Sequence, residues 1–174
     1  MSRRFNMTVS LLMLLGLASP ALALPGYLYV SDAFGAIERF DPSGMKSRFA
    51  SQGLITPFGI AFDQSGDLYV ADVGSNSVER ITPSGVVSVF ASGLDHPAGL
   101  AFDNRGNLYV SNANGNTISK FTPNGVESLF STTANNQPIG LAFDSLNNLY
   151  VANPSYSPHS RDSLAGTAQP SGIA

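Results

Sequence analysis

The sequence predicts an all-β chain, a segment of a β-propeller with about three four-stranded blades, and three observations predict it. One cassette is written out three times, as PFGIAFDQSGDLYVAD from Pro57, PAGLAFDNRGNLYVSN from Pro97 and PIGLAFDSLNNLYVAN from Pro138, at spacings of 40 and 41 residues. A fourth LYV run begins at Leu28, 40 residues before Leu68. Repeats of that period made of short alternating runs and Gly-marked turns read as propeller blades. No segment carries a helical period.

The type blade runs from Pro57 to Ser92. Gly59-Ile60-Ala61-Phe62 alternates small with large side chains, Asp63-Gln64-Ser65-Gly66 makes a short turn, and Asp67-Leu68-Tyr69-Val70 runs back as the second strand of a hairpin. The next copy spells the turn Asp103-Asn104-Arg105-Gly106 and the third spells it Asp144-Ser145-Leu146-Asn147, with Asn taking the place of Gly in the left-handed region. A polar loop, Val73 to Asn76, leads to a third strand, Ser77 to Ile81. Thr82-Pro83-Ser84-Gly85 then turns into a fourth strand, Val86 to Ala91, and the same turn recurs as Asp41-Pro42-Ser43-Gly44 and Thr122-Pro123-Asn124-Gly125.

The first copy lacks its inner strand and the last stops after Leu149-Tyr150-Val151, so the sequence predicts thirteen strands in residues 24–153. A closed ring needs about four to eight blades. Projecting the repeat forward puts Pro158, His159 and Asp162 where an earlier copy has Thr117, Ile118 and Phe121, which ends the pattern. Residues 154–174 are rich in Ser, Pro and Gly and read as a disordered, non-repeat tail or a linker. Two readings of the shortfall stand: a truncated gene product, which is preferred, or self-association of the chain to complete the propeller.

Residues 1–23 read as a secretory signal peptide. Arg3 and Arg4 supply the positive start, Leu11 to Ala18 the apolar run and Ala21-Leu22-Ala23 the cleavage site, with an uncleaved anchor as the alternative. The run is well short of the ~20 residues of a spanning helix. A secreted, periplasmic or cell-surface location follows, with no membrane span in the mature chain. Removing the segment leaves seven basic against twelve acidic side chains, a formal charge of −5, which gives no electrostatic reason to bind nucleic acid or an anionic bilayer. The absence of cysteine excludes disulfides, thiol nucleophiles and metal-thiolate sites.

The pattern Pro-x-Gly-[Ile/Leu]-Ala-Phe-Asp, continuing into Asn/Asp-Leu-Tyr-Val-[Ala/Ser]-[Asp/Asn], resembles the NHL-repeat propellers and the related gluconolactonase-like (SMP-30-like) and strictosidine-synthase-like six-bladed propellers. The segment Tyr109 to Phe121 is similar to the YVTN repeat of surface-layer propellers. The resemblance implies membership of a six-bladed propeller. It also implies one of two functions: a non-catalytic binding or cell-surface interaction module, or a metal-dependent lactone or ester hydrolase. Gluconolactonase-like enzymes hold a divalent cation with a Glu before the innermost strand, two Asn and an Asp. The matching positions here are Pro57-Phe58, Pro97-Ala98 and Pro138-Ile139, so that Glu is absent. No Trp is present, which argues against WD40 and quinone-binding propellers.

Two sets of residues are candidates for a site. Asp32, Asp72, Asn112 and Asn153 close the second strand of each copy and either ring a divalent cation such as calcium or cap the following loop through Asx turns, the reading preferred for a feature kept in every copy. His96 breaks the symmetry, standing where other copies have Thr56 and Gln137; with Asp95 it reads as a base and orienting carboxylate or as an ordinary surface pair. The Asn-rich run from Asn112 to Asn116 lacks the acidic spacing of an EF-hand loop, so no cofactor is predicted. Tyr29, Tyr69, Tyr109 and Tyr150 read as packing between sheets rather than as a ligand stripe. The predicted partner is an unidentified protein or small-molecule ligand.

Overall fold

A computed structural model describes residues 26–132, 137–153 and 167–169. The proposed signal peptide, residues 1–23, lies outside them, as do Pro158, His159 and Asp162. The described residues form four antiparallel sheets in chain order. The first holds β1 (Leu28–Asp32), β2 (Ala36–Phe40) and β3 (Lys46–Ala50). The second holds β4 (Pro57–Phe62), β5 (Leu68–Asp72), β6 (Ser77–Ile81) and β7 (Val87–Ser92). The third holds β8 (Pro97–Phe102), β9 (Leu108–Asn112), β10 (Thr117–Phe121) and β11 (Glu127–Thr132). The fourth holds β12 (Gly140–Phe143), β13 (Leu149–Ala152) and β14 (Thr167–Gln169).

The thirteen expected strands are all present, and β14 is a fourteenth. It lies in the tail read as disordered and pairs antiparallel with β13, Tyr150 opposite Ala168. That stretch lacks the apolar alternation of the repeat, but an unpaired sheet edge takes any short extended segment through main-chain hydrogen bonds alone.

Each turn follows from its residues. In the β4–β5 hairpin, Asp63 Oδ1 accepts the N–H groups of Ser65 (2.8 Å) and Asp67 (2.9 Å), and Gly66 takes a φ of 85°. The third copy places Asn147 at that point with φ 66°, the substitution the left-handed region permits. In the Thr82-Pro83-Ser84-Gly85 turn the Gly85 N–H donates to the Thr82 carbonyl at 2.8 Å, with φ 85°.

The core lies between the sheets. Leu68, Val70 and Ile81 of the second sheet pack on Ile37 and Ala50 of the first and on Leu54 of the β3–β4 connection. Tyr69, Ala71 and Val78, on its other face, meet Leu100, Leu108 and Val110 of the third. Three of the four tyrosines of the LYV runs, Tyr29, Tyr69 and Tyr109, are each clamped edge-on by two phenylalanines, one from the outer strand of the tyrosine's own sheet and one from the inner strand of the next. Tyr69 meets Phe90 and Phe102 at centroid distances of 5.0 and 5.1 Å, and Tyr29 and Tyr109 repeat the arrangement. Phe62, Phe102 and Phe143 therefore hold equivalent positions, each half-buried and in contact with the tyrosine of the preceding sheet.

Candidate functional site

One end of the blades is built by the loops after the second strands and by the connections that enter each new blade. The β3–β4 connection is tied to the β5–β6 loop, where the Val73 N–H donates to the Thr56 carbonyl at 3.0 Å. The β7–β8 connection is tied in the same way to the β9–β10 loop, the Ala113 N–H donating to the His96 carbonyl at 3.0 Å.

Asp72 is the anchor of this face in the second blade. It is fully buried, and its carboxylate accepts the N–H groups of Ile55 (2.6 Å), Thr56 (2.8 Å) and Gly74 (3.0 Å). Two oxygens with several lone pairs suit that three-donor task. In the third blade Asn112 stands there. Its amide nitrogen donates to Thr117 Oγ1 and Ser119 Oγ, both at 3.0 Å, while its buried Oδ1 has no partner among the described residues. Asn153 Oδ1 is likewise buried and unpaired among them. Asp32 accepts the Phe34 N–H at 3.0 Å, an Asx turn. The four strand-end residues thus occupy corresponding places in four sheets and use their oxygens differently. Among the described residues no three His, Asp or Glu side chains are grouped so that they could hold a metal ion.

His96 and Asp95 stand on the same face as the loops carrying Asn76 and Asn116. Asn76 Oδ1 accepts the His96 N–H at 3.1 Å, and in the next blade Asn116 Oδ1 accepts the Gln137 N–H at 2.8 Å. Both clamping asparagines take positive φ, 54° and 52°, and so do the residues they hold, His96 at 60° and Gln137 at 58°. His96 is exposed, and the Asp95 side chain lies beside Gly115. The clamping role of Asn76 and Asn116 was not read from the sequence. Their signal is an Asn before Ser77 and Thr117 at the start of the third strand, a place where asparagine's tolerance of the left-handed region is useful.

The inner strands β4, β8 and β12 border a cavity of 140 Å³ lined by Ser31, Gly59, Ala98, Gly99 and Gly140 among others. Ser31 Oγ donates to the Phe58 carbonyl across the first blade junction at 2.6 Å, and Ser111 Oγ reaches the Ile139 carbonyl at 3.3 Å across the third. The Phe58 carbonyl lies within the register shift between Pro57 and Ile60, and Ser111 Oγ also accepts the Gly99 N–H at 2.7 Å within the shift between Pro97 and Leu100.

No protein-family model and no curated protein matches the sequence. Solved structures do. The chain is similar to a chain in the crystal structure of a nidogen/laminin complex, with 26% identity and a TM-score of 0.68, over 75% of this chain and 53% of that one. It is similar to virginiamycin B lyase from Staphylococcus aureus, with 19% identity and a TM-score of 0.65, over 72% and 45% of the two chains. A putative gluconolactonase gives 20% identity and a TM-score of 0.62 over 73% and 53%. The chain spans about half the length of these structures. The repeated cassette, the meander blades and these likenesses agree on the fold: the described residues form β-propeller blades similar to those of NHL- and SMP-30-like propellers.

Proposed function

We propose that the chain is an exported, non-catalytic module that binds a protein or small-molecule ligand through the face carrying Asn76, Asp95, His96 and Asn116. The observation that carries this reading is the use to which the face puts its polar atoms. The Asp72 carboxylate is committed to three backbone N–H groups, and the Asn76 and Asn116 amides hold the entering connections. What remains for solvent is a display of exposed loop side chains on a stiff scaffold, the arrangement by which propeller loops present a binding surface. The nidogen/laminin structure is a complex of proteins, and likeness to it favours a protein partner. Export rests on the pattern of residues 1–23; among the described residues no helix is long and apolar enough to cross a membrane. A second copy of the chain is included among the proposed partners. Tyr150, the fourth tyrosine of the series, supports this by standing 41% exposed where Tyr69 and Tyr109 are clamped.

A second reading, a gluconolactonase-like metal-dependent hydrolase, is favoured by the amide oxygens of Asn112 and Asn153, unpaired among the described residues, by asymmetric His96 and by likeness to the putative gluconolactonase. One experiment separates them. The mature chain, residues 24–174, is purified from an exporting host and tested by metal analysis and a lactone and ester hydrolysis screen. Substoichiometric metal and no turnover are expected. Stoichiometric divalent metal with turnover lost in His96→Ala, the fold being retained, establishes the hydrolase instead.

A further inference from the structure

The sequence contains two Asn-Gly pairs, and the structure treats them differently. Asn114-Gly115 lies in the β9–β10 loop and Asn124-Gly125 in the β10–β11 turn, and all four residues are exposed. The Gly125 N–H donates to the Thr122 carbonyl at 2.8 Å and the residue is held at φ 79°. The Gly115 N–H makes no hydrogen bond among the described residues, and Gly115 lies outside the left-handed region. A Cβ placed on Gly115 would make ordinary van der Waals contacts at 3.4 Å with Asp95 and Thr117, so a methyl group fits there without displacing its neighbours.

We infer that Asn114 is a self-modification site, a deamidating asparagine on the proposed binding face, and that Asn124 is protected by its turn. The Gly115 amide nitrogen attacks Asn114 Cγ. A C–N bond forms to close a succinimide, the bond from Cγ to the side-chain nitrogen breaks, and that nitrogen leaves as ammonia with the proton from the Gly115 N–H. Water then opens the ring at one carbonyl or the other, giving aspartate or isoaspartate at position 114. At Asn124 the nucleophile is engaged, and the turn must open first. Losing one turn hydrogen bond on the way to the transition state corresponds to about tenfold in rate. The product carboxylate at 114 adjoins Gly115, which packs against the Asp95 side chain, so modification adds negative charge next to an existing carboxylate. This inference is independent of what the face binds.

The test is to age the full chain in mildly alkaline buffer and map its peptides by mass, with isoaspartate detected enzymatically. A parallel sample is held in urea. In the folded chain Asn114 is expected to convert about tenfold faster than Asn124. In urea the two rates are expected to converge. Gly115→Ala, which the contacts at 3.4 Å permit without unfolding, is expected to suppress conversion at 114. Equal rates in the folded chain, faster loss at Asn124, or a difference that persists unchanged in urea overturns the inference.

Discussion

Gly59 and Ala98 stand so close across the junction of the second and third blades that a Cβ on Gly59 would lie 2.1 Å from the Ala98 carbonyl oxygen. Gly99 meets the Ile139 carbonyl in the same way, at 2.2 Å. A backbone carbonyl cannot rotate aside as a side chain can, so the glycines set how tightly the inner strands approach. Gly59→Ala is expected to cost about 3 kcal/mol, the upper end of overpacking penalties. Gly115→Ala, whose Cβ has ordinary contacts, stays within about 0.5 kcal/mol. Urea unfolding of the two variants beside the parent measures the difference.

The tyrosine series predicts a gradient along the chain. Tyr69 lies buried between Phe90 and Phe102, and removing it leaves a cavity lined by both rings. Tyr69→Ala is expected to lose about 3 to 5 kcal/mol, as large aromatic truncations in cores do. Tyr150 is 41% exposed, and its hydroxyl donates to Asp144 Oδ2 at 3.2 Å. Tyr150→Ala is expected to cost about 1 kcal/mol. If self-association uses this residue, the same variant shifts the chain toward monomer in sedimentation while Tyr69→Phe does not.

Asp72 carries a third prediction. Asp72→Asn keeps the volume but leaves one acceptor oxygen for the three donors the carboxylate serves, and puts an amide N–H₂ against the others. A loss of about 2 to 3 kcal/mol is expected, with faster hydrogen exchange at Ile55, Thr56 and Gly74. An unchanged stability would mean that the connection into the second blade is held without the carboxylate, by the strands and the bond from the Val73 N–H to the Thr56 carbonyl. Because this loss is structural, reduced activity in an Asp72 variant says nothing of catalysis unless the fold is checked.

The blades were legible because their determinants are local and repeated. Gly66, Gly106 and Asn147 each occupy the one turn position that needs positive φ, and the LYV alternation fixes which face each residue takes. The tyrosine clamp was legible for the same reason. The face was only half legible. That Asp95 and His96 join the Asn76 and Asn116 loops follows from propeller connectivity. That those asparagines clamp the next connection depends on backbone angles of His96 and Gln137 that neither residue type advertises. The different behaviour of Asp72 and Asn112 depends on hydroxyls at Thr117 and Ser119, five and seven residues further on, which pairing of β9 with β10 brings within reach. The strand at 167–169 had no sequence signal, since edge pairing needs only a backbone.

The tyrosine clamps also give stability a pH dependence. Burial, the largest cause, raises the ionisation of Tyr69 and of Tyr109 above the ordinary value of 10.0. A group whose folded pKa is raised contributes stability that is complete below its unfolded pKa and is lost as pH rises through the folded one. Unfolding free energy is therefore expected to fall on the alkaline side once pH passes about 10, where the unfolded chain loses phenolic protons that the folded chain keeps. The acid side has its own groups. The side-chain hydrogen bond from Asn148 is the main reason that Asp144 titrates below 3.8, and that from Ser43 does the same for Asp41. Their contribution is present above the unfolded carboxylate pKa and is lost as pH falls through the lowered values, though both are exposed and the effect is small. Tyr69→Phe keeps the ring between Phe90 and Phe102 and removes the titrating hydroxyl, so it separates packing from ionisation. Its urea midpoint is expected to match the parent near neutrality and to decline less steeply between about pH 9 and about pH 11. A parent and variant that decline in parallel over that range would place the alkaline loss elsewhere than at Tyr69.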